Sequence, residues 1–211
     1  MSELQRLKGL LPPEMQSWVF VESAAAVDPP LITLEEIGRD EVEIQVDLDA
    51  WDAMALDHRN LLFWHEVGRI QNDTIPRDGW EMAALAIGLG GAIGELWVQD
   101  GLLLLMALGL SGFAGYRLYL KNNAEKRLQD AISADERAID LACRFGYSVP
   151  NAYRSLGGAL KDLVEQTRKK RRRGFYEDRL EALRKSASKA RAEMAQQEGS
   201  RSSVSSENVY G

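Results

Sequence analysis

Residues 61–71 read LLFWHEVGRIQ. The stretch closes a helical pattern that begins near Leu48, in which Trp51, Met54, Leu61, Leu62, Trp64, His65 and Gly68 fall near one side of a segment running to about Ile70. An apolar turn therefore leads straight into a His-Glu pair, His65-Glu66. In the HExxH pattern, two histidines four apart project from one helix face onto one zinc ion, and the glutamate between them activates the bound water. Here the fourth position is Arg69. A guanidinium is always protonated, has no lone pair to donate and repels a cation, so Arg69 breaks the metal pattern. His58 does not restore it, because seven residues along a helix place it about 10 Å from His65 along the axis.

Toward the N-terminus the periodicity changes. Trp18 to Val21, then Leu31 to Leu34 after the Pro29-Pro30 break, then Val42, Ile44, Val46 and Leu48 at period two, predict short strands and a small sheet. Met1 to Glu14 holds charges and two prolines but no apolar run of signal-peptide length, so no N-terminal cleavage or secretion is expected.

Toward the C-terminus, Asn72 to Gly79 reads as a turn and two apolar runs follow, Met82–Val98 and Gly101–Leu120, divided by Gln99-Asp100. Their lengths predict a helical hairpin near the lower limit for crossing a hydrocarbon core of about 30 Å, with Glu95 shortening the first run. A buried hairpin in a soluble protein is the alternative. Gly90 and Gly94 stand at the spacing that lets two helix backbones approach, and Trp80 and Trp97 bracket the first run like interfacial anchors, whereas Trp51 and Trp64 suit a core. Arg69 and Arg77 precede the hairpin and Arg117, Lys121, Lys126 and Arg127 close it, a bias that puts both termini on the cytoplasmic side.

Amphipathic helices are expected over Ala124–Phe145, ended by Gly146, and from Asn151 to about Thr167 after the Val149-Pro150 break. Six consecutive bases follow, Arg168, Lys169, Lys170, Arg171, Arg172 and Arg173, leading into a charged helix from Phe175 to about Gln197 and a serine-rich tail. The basic run has three readings: a solvated charged helix, contact with anionic lipid headgroups, or nucleic-acid binding. Lipid contact gains from the nearby hairpin, since clusters of four to eight bases beside a membrane are attracted at about 1 kcal/mol per base.

The chain carries a net charge of −6 but is asymmetric: residues 1–79 hold 16 acids and 6 bases, residues 121–197 hold 11 acids and 18 bases. No ribonucleoprotein motif, finger spacing or phosphate-binding glycine loop accompanies the basic end, which argues against a nucleic-acid module. At 211 residues the chain can bury one core with extensions, and the lone Cys143, among Leu141, Ala142 and Phe145, fits a packed helix face in a reducing compartment.

Beyond the apolar runs, residues 134–156, ADERAIDLACRFGYSVPNAYRSL, carry Glu136 and Asp140 at i and i+4, then Gly146-Tyr147 and an apolar helix. Together with His65-Glu66 this resembles the membrane-embedded zinc metallopeptidases of the HtpX and CAAX-prenyl-protease type, over roughly Trp18 to Leu163. The resemblance implies short strands, an HExxH helix, a membrane hairpin and an ExxxD helix. It implies His65 as first metal ligand, Glu66 as general base, Glu136 as third ligand and Asp140 as the carboxylate bracing it, with Arg69 departing where the second ligand belongs. One physical role for Arg69 is an ion pair with Glu136 across the former metal site. The overall pattern is also similar to a membrane-protein family of photosynthetic bacteria (cyanobacteria), which implies a thylakoid or plasma membrane.

The expected fold is α+β, mostly α: a zincin-like helical core with a small N-terminal β-sheet and an inserted transmembrane helical hairpin. Its divisions are 1–79 (strands and the HExxR helix), 80–120 (hairpin), 121–167 (ExxxD helix and the next, packing with 1–79), 168–197 (basic charged helix) and 198–211 (disordered tail). The expected function is that of a membrane-integrated, metallopeptidase-like, non-catalytic scaffold or assembly and quality-control factor for membrane proteins. Membrane lipids and other membrane proteins are its expected partners, and no cofactor is expected. Two alternatives stand beside it: an active zinc peptidase with a nonstandard site of His65, Glu66 and Glu136, and a soluble helical adaptor.

Overall fold

In the computed structural model, residues 2–25, 31–37, 41–73, 84, 86–87, 106, 108–113, 115–116 and 123–207 are described, the last eleven by backbone alone. The contacts divide the chain into two units, Met1–Ile75 with Ala131–Gly211, and Pro76–Asp130.

In the first unit the chain opens with helix α1 (Glu3–Lys8), started by a capping box in which Ser2 and Gln5 exchange side-chain and backbone bonds. Alternation gave no sign of this short helix. It is held by Glu3, whose carboxylate takes both Arg6 bonds at 2.7 Å, the Trp51 indole N–H at 3.1 Å and an Arg59 bond at 3.2 Å. A 3-10 turn, Pro13–Met15, leads into strands β1 (Val19–Ser23), β2 (Ile32–Glu36) and β3 (Val42–Val46).

The sheet order is β1-β3-β2, with β1 parallel and β2 antiparallel to the central β3. Val42, Ile44 and Val46 are buried and alternate with half-buried Glu43 and Gln45, which is why a period of two specifies a strand with one face on the core.

The helical pattern from Leu48 divides into α2 (Leu48–Trp51), capped by Asp47, and α3 (Leu56–Gln71). Every residue from Asn60 to Gly68 is buried, so α3 runs through the core rather than along its surface. Trp51 and Trp64 are fully buried, and the Trp64 indole lies 5.1 Å from the Phe145 ring centroid and edge-on to Tyr147.

Helix α4 (Ala124–Arg144) ends where Gly146 adopts a φ of +93°, with the Tyr147 N–H bonded back to the Ala142 carbonyl at 3.0 Å. Helix α5 (Val149–Gln166) takes Pro150 into its first turn, where a missing N–H costs nothing, so the proline opens the helix rather than preceding it. Helix α6 (Lys170–Glu207) begins inside the basic run and continues past Gln197 into the serine-rich segment. It packs on α5, which packs in turn on α3. Gly158 on α5 makes room for His58 on α3, whose Nε2 a Cβ at that glycine would overlap; His58 Nδ1 lies 2.7 Å from Asp162 Oδ2.

The second unit corrects the expected fold class. Among the described residues no helix is long and apolar enough to cross a membrane, so the transmembrane hairpin is not part of the fold found, which is mostly helical with one three-stranded sheet. The two apolar runs stand near the shortest useful span, and Glu95 places a charge inside the first. The Gly90 and Gly94 contact, the Trp80 and Trp97 anchors and the flanking Arg77, Arg117 and Lys121 lie outside the described residues. Those described within the runs are helical in backbone, and Ile87, Met106, Leu108, Leu110, Phe113 and Tyr116 are exposed.

Candidate functional site

Helix α3 presents His65 toward α4 because of Gly68, three residues further on. A Cβ at Gly68 would stand 2.8 Å from the Ala134 carbonyl oxygen and 2.9 Å from the Arg137 Cβ, so the glycine lets the two helices cross at close range. The next residue on α4, Asp135, then meets the imidazole: its Oδ1 lies 2.8 Å from His65 Nδ1.

A third helix closes the cluster. Arg179 of α6 donates from Nη2 to Asp135 Oδ1 at 2.5 Å and from Nε to Asp135 Oδ2 at 3.1 Å, while its Nη2 also lies 3.1 Å from His65 Nδ1. His65, Glu66, Asp135 and Arg179 are each at most 4% exposed. Phe175 and Tyr176 cover the guanidinium, with ring centroids 5.9 and 6.0 Å from its carbon.

The shared contact fixes the imidazole tautomer. Nδ1 cannot donate to the carboxylate and accept from the guanidinium at once, and the carboxylate is the closer partner; Nδ1–H therefore donates to Asp135. That assignment follows from the pairing of charges, and it leaves the lone pair on Nε2, 3.9 Å from Glu66 Oε1. Arg69 bonds the other oxygen of Glu66, Nη1 to Oε2, at 2.6 Å. With His65 neutral, the carboxylates of Glu66 and Asp135 face two guanidinium groups, that of half-buried Arg69 and that of buried Arg179.

The electrostatics agree with a neutral histidine. Burial, and then the Arg179 charge, hold His65 below its ordinary 6.5. Burial pushes the Asp135 carboxyl up, but Arg179 and His65 more than offset that and leave it below its ordinary 3.8. Burial likewise works against the charge of Arg179, and Asp135 reverses it, so the guanidinium is held above its usual range.

The site differs from the one expected along the sequence. Glu136 and Asp140, which match the third ligand and its brace, are both exposed, and Arg69 bonds Glu66 on its own helix rather than Glu136. A guanidinium does join the helices beside His65, but it is that of Arg179, and the carboxylate it grips is Asp135. Both lie in apolar stripes of their helices: Asp135 among Ala131, Ala134, Ala138 and Ala142, Arg179 between Tyr176 and Leu183. A charged residue inside such a stripe was the available signal. Arg168 and Lys169 precede α6 and the bases from Lys170 to Arg173 form its first turn; all are exposed except the half-buried Arg172, and Arg173 pairs with Glu177 at 3.0 Å.

The donor set does not fit zinc. Among the described residues no group of three or more His, Cys, Asp and Glu is placed to hold a metal ion. His65 Nδ1 is engaged by Asp135, Glu66 Oε2 is engaged by Arg69, and that same cation stands at the sequence position of the second ligand. What the arrangement does chemically is pin three helices through one buried, charge-balanced network.

A family described as "Protein of unknown function (DUF3318)" matches residues 5–147. The chain belongs to this family. Among relatives of this DUF3318 chain, the thylakoid membrane protein slr1949 of Synechocystis sp. is 70% identical over 192 residues, which cover 91% of each chain. The matches lead to a cyanobacterial family and give no relation to the HtpX and CAAX-prenyl-protease enzymes, so that resemblance is corrected: it rested on His65-Glu66 and on the spacing of Glu136 and Asp140, two exposed side chains. No solved structure matches the chain.

Proposed function

We propose that this chain is a non-catalytic, membrane-associated protein of the thylakoid or plasma membrane that serves as a scaffold or an assembly and quality-control factor for membrane proteins. The observation that carries the non-catalytic part is the seating of Arg179 against both His65 and Asp135. Its guanidinium neutralises the carboxylate that orients the imidazole, while Arg69 takes the sequence position of the second ligand and bonds Glu66, the residue that would act as base. The membrane part is supported by the name of the Synechocystis relative, a thylakoid membrane protein, and by the exposed apolar side chains of the second unit, which exceed the scattered leucines of an ordinary surface. The exposed bases at the start of α6 suit contact with anionic headgroups.

The test is fractionation of cells that carry the chain. Wild type is expected with the membranes, and the variant Met106→Ser/Leu108→Ser/Leu110→Ser is expected to shift to the supernatant. Glu66→Gln is expected to stay with the membranes and to complement a deletion strain, since no general base is in use. Wild type recovered in the supernatant would sink the membrane reading. A folded Glu66→Gln chain that fails to complement would turn the case toward the peptidase.

A further inference from the structure

Helices α5 and α6 leave an open groove between them with a volume of about 190 Å³. Arg154 and Lys161 on α5, and Arg184 and Arg191 on α6, line it, and no acidic side chain is among its lining residues. The bases stand seven residues apart on each helix, so two lie along each rim. Among the described residues Lys161, Arg184 and Arg191 enter no ion pair, and Arg154 bonds only the Asn151 amide oxygen, at 2.9 Å. Glu181 lies close enough to Arg184 to feel its charge, but four cations lining one groove repel, and that repulsion is relieved by an anion between them.

Between the rims the floor is apolar. Leu180 and Leu183 form it opposite Gly157, whose missing side chain opens the groove next to Arg184: a Cβ there would meet only those two leucines, at 3.9 and 3.7 Å. Val149 to Lys161 spans about 18 Å of helix, so the floor has the length of an extended alkyl chain. Its small volume does not seat another helix, which with side chains is about 10–12 Å across. Near Tyr153 the bases have acidic neighbours: burial and then the nearby Glu136, Asp140 and Glu193 raise that phenol above its ordinary range. An anionic group is therefore favoured at Lys161 and Arg184, away from those carboxylates.

We propose that the groove between α5 and α6 binds one anionic lipid, its acidic headgroup held by Lys161 and Arg184 and its acyl chain laid along Leu180, Leu183 and Tyr153. The basic run at the start of α6 is a separate surface, and the groove adds recognition of a single lipid molecule to membrane association, on which its biological use rests.

The experiment titrates the full chain with dihexanoyl phosphatidic acid below its micelle concentration, and separately with dihexanoyl phosphatidylcholine, inorganic phosphate and an acidic helical peptide, by calorimetry. Saturable one-to-one binding of the phosphatidic acid is expected. It should weaken about tenfold or more in Lys161→Gln/Arg184→Gln, two surface changes that remove the headgroup charges. Ala187→Phe, which fills the groove and keeps its charges, should weaken it as well. Equal binding of phosphatidylcholine, binding of inorganic phosphate as tight as the lipid, binding of the peptide in its place, or no response to either variant overturns the proposal. Flotation with phosphatidylglycerol vesicles, run in parallel, separates the two readings: vesicle binding without monomer binding removes the groove site alone, and monomer binding without vesicle binding removes membrane association alone.

Discussion

Arg179 grips Asp135 through two hydrogen bonds, of 3.1 and 2.5 Å, at a place where both residues are 3% exposed. A pair so deep is held together by geometry as much as by charge, because each partner loses its water and has only the other and His65 to replace its hydrogen bonds. Arg179→Met leaves the Asp135 carboxylate buried without its cation and is expected to cost about 3–5 kcal/mol. Asp135→Leu added to that variant removes the orphaned charge and should recover most of the loss. Urea unfolding of the two variants beside wild type checks this; equal stabilities for wild type and Arg179→Met would mean the pair is not closed from solvent.

The pH dependence has a definite sign. The folded chain holds His65 below its ordinary 6.5, so as pH falls through that value the unfolded chain takes up a proton that the folded chain refuses. Stability therefore declines just below pH 6.5, by at most about 1.4 kcal/mol per pH unit from this one group. Asp135, held below 3.8, contributes stability above that pH and loses it as acid protonates the folded carboxyl. Replacing the imidazole in His65→Asn keeps a donor near Asp135 and should flatten the first decline while leaving the second. Denaturation midpoints measured from about pH 2 to about pH 8 give the comparison.

Gly68 tests the close crossing of α3 and α4. Alanine there gains about 1 kcal/mol in helix propensity, yet its Cβ would press on the Ala134 carbonyl, so Gly68→Ala is expected to destabilise by about 1–3 kcal/mol net. Gly174, on α6, is the control, since nothing lies within 4 Å of a Cβ built on it. Gly174→Ala should stabilise by about 0.5–1 kcal/mol. Thermal melts that rank the two variants the other way would remove the crossing from the account of how Asp135 reaches His65.

Much of the first unit was legible because its signals are local. The alternation of Val42, Ile44 and Val46 marks a strand in any context with one buried face, and Gly146 ends α4 by taking a backbone angle that other residues resist. The site was legible only by half. His65 and Glu66 stand out beside the apolar turn at Trp64, but their partners come from two other helices, and Arg179 is 114 residues from His65. Matching Glu136 and Asp140 to a motif spacing placed the carboxylate one residue from the true one. The buried alanine stripe of α4, which meets α3 at Gly68 through Ala134, decides instead for Asp135. Apolar length was the weakest guide: the runs before and after Gln99 have the composition of membrane helices, yet among the described residues no helix is long and apolar enough to cross a membrane.

The central claim, that a guanidinium and not a metal joins the helices beside His65, is tested most directly by the zinc content of the purified chain, measured by elemental analysis for wild type, His65→Ala and Glu66→Gln. Far less than one zinc per chain in all three, with unfolding unchanged by a chelator, is the result expected. Near-equimolar zinc in wild type that disappears in His65→Ala would contradict it and return the chain to the metallopeptidases.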